Sequence, residues 1–147
     1  MKRWTSGMRD SFFDSLYAIA KRDSKVMLVI SDTGAICHDE FKRRLNNRYI
    51  NVGIAEQNMV GVAAGLAMSG KIVYIYAIVP FVTARCYEQI RVDLCCMNLP
   101  VTVVGIGAGF DYSTLGPTHH GYEDIALMSL LPNMIVYSPS DSLMAGF

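Results

Sequence analysis

The chain has 147 residues, 52% hydrophobic and 18% charged, which is one domain's worth of sequence with enough apolar content to exclude a disordered segment. Thirteen basic and thirteen acidic side chains cancel, so there is no electrostatic footprint for nucleic acid. No apolar run approaches the roughly 18 residues a membrane span needs, and the start, Lys2-Arg3-Trp4, lacks a signal peptide's continuous apolar segment; a cytoplasmic protein is expected.

Helical and strand patterns alternate along the chain. Residues 8–22 carry Phe12, Leu16, Ile19 and Ala20 at helical spacing. Val26–Ile30 is a continuous apolar run ended by Ser31-Asp32-Thr33-Gly34, the pattern of a strand buried on both faces. A short charged helix is expected around 39–46, with Lys42, Arg43, Arg44 and Arg48 forming a solvated basic face beside Asp39 and Glu40. The β-type run Arg48–Val52 follows, then a small-residue helix over about 56–69 stopped by Ser69-Gly70. Ile72–Ile78 reads as the next strand, and Pro80 suits the first turn of a helix over about 80–97. Val101–Ile106 reads as a fourth strand, leading through Gly105-Ile106-Gly107-Ala108-Gly109 into a polar loop that ends at His120. A helix near 122–131 and a last strand near Met134–Tyr137 complete the pattern. Ser138-Pro139-Ser140-Asp141 then resembles a strand end and a helix N-cap, so the domain, 1–147, is expected to be truncated at its C-terminal end. The alternation predicts a three-layer α/β/α domain with a mainly parallel sheet.

The four cysteines, Cys37, Cys86, Cys95 and Cys96, show no metal-ligand spacing and are expected to be buried thiols of a cytosolic protein. In parallel sheets the ligand crevice lies beyond the C-terminal ends of the strands. Three unusual loops fall there: Ser31–Gly34, Gly53–Glu56 and Gly107–His120.

Glu56 is the only acidic residue between Glu40 and Glu88. It is either a first-turn charge complementing the helix dipole or a site carboxylate whose proton is held by apolar burial from Met59, Val60 and Ala63. The Gly105-x-Gly107-x-Gly109 run lacks both an immediate helix and a third glycine at the right spacing, so it does not read as a dinucleotide fingerprint; its glycines let the backbone leave the strand. Two adjacent imidazoles stand on the constrained turn Gly116-Pro117-Thr118-His119-His120-Gly121. His119 is the candidate for contact with a substrate hydroxyl or for proton transfer, and His120 for a local bond to Thr118 or the backbone; Glu123 and Asp124 read as caps of the next helix. Phe81 and Arg85, four apart, share one helix face. Phe81 is either a core residue or a flat surface for a heterocycle.

Four collinear segments resemble the pyrimidine-binding domain of transketolase-like thiamine diphosphate enzymes: Gly53-Ile54-Ala55-Glu56-Gln57; Phe81 to Gln89; Gly116-Pro117-Thr118-His119-His120 with Glu123-Asp124-Ile125-Ala126; and Leu131-Pro132-Asn133-Met134 with Pro139 and Asp141. The first looks most like the C-terminal subunit of split bacterial transketolases. The resemblance implies that Glu56 bonds the cofactor's pyrimidine ring nitrogen and promotes its imino tautomer. It places Phe81 against that ring, Arg85 in the same pocket wall, His119 on the substrate side and Asp32 near the entrance. It also implies transfer of a two-carbon ketol unit between sugar phosphates.

That family holds the cofactor's pyrophosphate and Mg2+ with a separate domain's Gly-Asp-Gly…Asn motif, which this sequence lacks. The resemblance therefore implies a partner, a pyrophosphate-binding domain or subunit, in a homo- or hetero-oligomer that is inactive without it. Leu115 stands where well-known transketolases carry an acid, so sugar specificity is left open. The alternatives are a catalytically silent module that binds or regulates a partner, or a component of a deoxyxylulose-phosphate synthase or an oxo-acid dehydrogenase.

Overall fold

The computed structural model describes residues 7–34 and 36–146. The Lys2-Arg3-Trp4 start and the Cys37 thiol lie outside the described residues and side chains. Helix α1 (Met8–Arg22) leads into β1 (Val26–Ile30), α2 (Ile36–Arg44) and, after a 3-10 turn at Asn46–Arg48, β2 (Tyr49–Asn51). Helix α3 (Glu56–Met68) and β3 (Ile72–Ile78) follow, and β3 runs directly into α4 (Val79–Val82). Helix α5 (Tyr87–Gln89) continues as a π-helical stretch, Ile90–Cys96, before β4 (Val101–Ile106), and α6 (Asp124–Ser129) and α7 (Ser142–Ala145) close the order.

The four strands are all parallel in the order β2-β1-β3-β4. Alternate side chains of the sheet feed two cores. Met27, Val29, Val73, Ile75 and Ala77 meet α3, the π-helical stretch and Met128 of α6. Val26, Leu28, Ile30 and Tyr76 meet α1 and Phe41 of α2. All five residues of β1 are buried, as a central parallel strand covered on both faces must be. The small-residue run Met59, Val60, Ala63, Ala64 and Ala67 is the buried face of α3, and it lets that helix lie close to the sheet. This is the predicted three-layer α/β/α arrangement.

Four expectations need correction. The stretch near Met134–Tyr137 forms no strand and pairs with none, and a groove of about 930 Å³ lies between it and β4. Its run of four apolar side chains marks a strand candidate, but pairing also needs a partner strand and a register, and its hydrogen-bonded anchors lie elsewhere. Asn133 Nδ2 donates to the Cys95 carbonyl at 3.0 Å and Tyr137 Oη to that of Met144 at 3.1 Å. The helix expected over 80–97 is broken at Thr83–Cys86, where Thr83 Oγ1 bonds back to the Val79 carbonyl at 2.7 Å and competes with the helical ladder.

Arg48 does not join a solvated helix face. It donates to the carbonyls of Ala20 and Asp23 and so caps the C-terminal end of α1, while Arg43 and Arg44 pair with Glu40. Among the thiols, Cys86 and Cys95 are buried as expected but Cys96 is exposed.

At the end of the chain, Asp141 is the N-cap of α7, its carboxylate accepting from Met144 N at 2.8 Å. The short helix rests on α1, whose Ser11 and Ser15 hydroxyls donate to the carbonyls of Ser142 and Gly146. Among the described residues no helix is long and apolar enough to cross a membrane.

Candidate functional site

The sheet order places the C-terminal ends of β2, β1, β3 and β4 side by side, and the unusual loops follow those ends. β1 ends at Ile30 and turns through Ser31 and Asp32, the latter in the left-handed region at φ 56°, a conformation Asp tolerates better than most residues. β2 ends at Asn51. Its side-chain amide ties the two loops together: Oδ1 accepts from Asp32 N at 3.0 Å and Gly53 N at 2.9 Å, and Nδ2 donates to Asp32 Oδ1 at 3.0 Å. Gly53, at φ 76°, supplies the left-handed turn that delivers Glu56 to the first turn of α3.

Glu56 is 4% exposed. Its two carboxylate oxygens have different partners: Ser31 Oγ donates to Oε1 at 3.2 Å, and Arg85 Nη1 donates to Oε2 at 2.8 Å. A carboxylate taken out of water is tolerated only when paired in this way. Arg85 itself stays 43% exposed, so the pair sits at the mouth of the site, with the carboxylate inside and the guanidinium at the opening. The break at Thr83–Cys86 aims Arg85 at Glu56. Despite that break, Phe81 and Arg85 still meet, the guanidinium carbon lying 4.1 Å from the ring centroid in cation–π contact.

Beyond Phe81 comes His119, their ring centroids 5.0 Å apart and the planes at 71°. Thr118 Oγ1 lies 3.0 Å from His119 Nδ1, and the Tyr112 ring approaches edge-on at 6.4 Å between centroids. Tyr112 packs so closely over Gly107 that a Cβ there would lie 2.1 Å from its ring, which explains that glycine better than nucleotide binding does. The loop is closed by the antiparallel bridge between Gly109 and Gly121. His120 is held locally as expected, its Nε2 3.3 Å from the Ser113 carbonyl. The carboxylate of Glu123 takes the Tyr122 N–H at 3.1 Å; no side-chain cap bond forms at the start of α6.

Ser31, Glu56, Arg85, Phe81 and His119 thus form one connected chain of contacts. Asp32 stands apart from it, on a shallow cleft of about 410 Å³ that it shares with His38, Lys42, Tyr49 and Asn51. Three contributors escape the sequence pattern: Ser31 as donor to Glu56, Asn51 as clamp and Tyr112 as neighbour of His119. The signal that could have found Asn51 is its place two residues before Gly53, where a strand end meets a candidate loop.

Burial governs the nearby titrations. Cys86 lies beneath the pair, its Sγ 3.1 Å from the Phe81 carbonyl. Burial, reinforced by the Glu56 charge and opposed by Arg85, pushes its thiol up to about 12, so it is no nucleophile near neutral pH. Burial also lowers the His38 imidazole below its usual value.

The set presents a buried anionic acceptor, a hydroxyl, a flat aromatic face and an imidazole around a mouth already occupied by a planar nitrogen cation. A planar, nitrogen-bearing heterocycle is the kind of ligand such a set could hold. Among the described residues no group of three or more His, Cys, Asp or Glu could hold a metal ion.

The family model for the transketolase pyrimidine binding domain matches residues 6–145. The chain is 38% identical over 135 residues to a subunit of the apulose-4-phosphate transketolase of Phocaeicola vulgatus, covering 91% of this chain and 43% of that protein. It is 37% identical to 1-deoxy-D-xylulose-5-phosphate synthase of Syntrophus aciditrophicus, over 88% of this chain and 20% of that protein. Among solved structures, a split-gene transketolase in an inactive beta4 tetramer superposes with a TM-score of 0.84 at 33% identity, over 95% of this chain and 45% of the other. The chain therefore spans less than half the length of these relatives.

Proposed function

Because the chain belongs to the transketolase pyrimidine-binding domain family, we propose that it is a component of a thiamine diphosphate-dependent transketolase and supplies the glutamate that engages the aminopyrimidine. The observation that most supports this is Glu56 itself, a carboxylate 4% exposed at a helix start, with one oxygen on Ser31 and the other turned to the mouth beside Phe81. Thiamine diphosphate, when bound, supplies the carbanion chemistry of ketol transfer; this chain supplies position and electrostatics. Glu56 holds or takes a proton at the pyrimidine ring nitrogen. Phe81 offers its face to the ring and Ser31 fixes the carboxylate's inner oxygen. Arg85 neutralises Glu56 in the free chain, and His119, backed by Thr118 and Tyr112, orients or protonates a substrate hydroxyl. Asp32, on the separate cleft with His38 and Tyr49, is left without a part in the site.

The proposal includes a partner domain or subunit that holds the pyrophosphate and Mg2+, an oligomer, a cytoplasmic location and a sugar phosphate substrate. The relative from Syntrophus favours a second reading, a synthase of the deoxyxylulose-phosphate type. Presenting the reconstituted complex with ketose phosphate and 2-oxo acid donors separates the two.

The test is calorimetric titration of thiamine diphosphate with Mg2+ into this chain alone, then into wild type and Glu56→Gln each mixed with a pyrophosphate-domain subunit. Binding and turnover are expected only in the mixture, with turnover abolished by Glu56→Gln while the fold is retained. Unchanged turnover in that variant would remove the role of Glu56. Absence of cofactor binding in a complex shown to assemble would favour the silent module.

A further inference from the structure

We infer that in the free chain the Arg85 guanidinium occupies the aminopyrimidine's place, as a built-in surrogate that the incoming heterocycle must displace. The inference rests on the reading of Glu56 and Phe81 above and gives Arg85 a different role, that of competitor.

Three observations converge on it. Arg85 Nη1 donates to Glu56 Oε2 at 2.8 Å, while the other oxygen, Oε1, is taken by Ser31; the oxygen that Ser31 leaves open is therefore the one Arg85 uses. The guanidinium carbon also lies 4.1 Å from the Phe81 ring centroid, so the face on which a heterocycle would stack is covered. The His119 ring also packs against Phe81, 5.0 Å between centroids and 71° between planes, so an incoming ring would have to share Phe81 with two neighbours already on it. A guanidinium is planar and delocalised, with N–H donors on an N–C–N frame. Among the side chains it is the nearest match to a planar heterocycle that offers a ring N–H to the carboxylate. Arg85 makes both contacts proposed for the aminopyrimidine, and the two cannot be made by both partners at once.

The arrangement also has a physical purpose. Without a ligand, Glu56 would be a buried, unpaired charge. Arg85 covers it from the broken turn between α4 and α5 and remains 43% exposed, so it can swing out to water at small cost. Displacing it lowers the apparent affinity by the fraction of molecules in which the site is open.

The test uses 4-amino-5-hydroxymethyl-2-methylpyrimidine, titrated into the full chain and followed by nuclear magnetic resonance of backbone amides and arginine Nε–H groups. Wild type, Arg85→Met, Arg85→Lys and Glu56→Gln are compared. Arg85→Lys keeps a charge for Glu56 but lacks the plane that covers Phe81, and it guards against a folding defect in Arg85→Met. The expected result is binding about 5- to 10-fold tighter in the Arg85 variants than in wild type, with the wild-type Arg85 Nε–H resonance moving as the site fills. Equal or weaker binding in both Arg85 variants, no binding by either at millimolar probe, or an unmoved Arg85 resonance at saturation would each overturn the surrogate. Loss of binding in Glu56→Gln without a gain in the Arg85 variants would sink the surrogate and leave the proposed function standing. Undiminished binding to Glu56→Gln would sink the function instead.

Discussion

Replacing Asn51 by Ala removes three hydrogen bonds with one amide: those from Asp32 N and Gly53 N to Oδ1, and that from Nδ2 to Asp32 Oδ1. Each contributes roughly 0.5–1.5 kcal/mol when fully formed, but all three lie at exposed positions where water takes over part of the work. A loss of about 1.5 kcal/mol is expected, which for a domain of this size lowers Tm by roughly 3–6 °C. Asn51→Asp is the sharper probe. The introduced carboxylate still accepts from both N–H groups, but it cannot donate to Asp32 and sets a second negative charge about 3 Å away. In water-like surroundings that repulsion costs about 1.4 kcal/mol, so with the lost donor bond the variant should be destabilised by about 2 kcal/mol at pH 7. It should recover most of the repulsion as pH falls toward the carboxylate range, because the neighbouring like charge makes one of the pair take up a proton more readily. Urea denaturation of the three proteins at pH 7 and pH 4, analysed with a common slope, measures both effects. Less than about 0.3 kcal/mol for Asn51→Ala, or an Asn51→Asp deficit that ignores pH relative to wild type, would refute the clamp. Should the clamp hold, both variants should also weaken binding of the pyrimidine probe, because the Ser31 and Gly53 loops that frame Glu56 would be released from one another.

His38 is buried against Phe13, Tyr49 and Tyr76, and burial lowers its imidazole, with Arg9 and Lys42 acting in the same direction and the Thr33 backbone and Asp39 opposing. The unfolded state then binds more protons than the folded one below about pH 6.5. The stability present above that pH should decline as pH falls through it, and His38→Phe should flatten this part of the curve in urea titrations at pH 5, 6 and 7. Alkylation with iodoacetamide at pH 8, read by peptide mass spectrometry, should modify exposed Cys96 readily and leave Cys86, buried and raised to about 12, untouched until denaturant is added. Equal labelling of the two would contradict the packing beneath the Glu56–Arg85 pair.

What the sequence determined by itself is the set of local elements and the places where the chain leaves them. Val26–Ile30, Ile72–Ile78 and Val101–Ile106 are strands with the bounds their apolar runs mark, and Glu56 starts its helix where the small-residue pattern begins. Periodicity and turn chemistry act over a few residues, so one sequence displays them. Glu56 was visible because an isolated carboxylate in an apolar stretch is expensive to bury, and the four collinear segments pointed to the same residue.

Partnership was decided only by the tertiary structure. The order β2-β1-β3-β4 makes neighbours of Ser31, Glu56 and Arg85, which are 25 and 29 residues apart along the chain. The interrupted helix after Pro80 turns Arg85 onto both Glu56 and Phe81. Asn51 became a clamp only when two strand ends fell within reach of one amide. The stretch 134–137 formed no strand, because an apolar run does not fix which neighbour, in which register, completes the ladder.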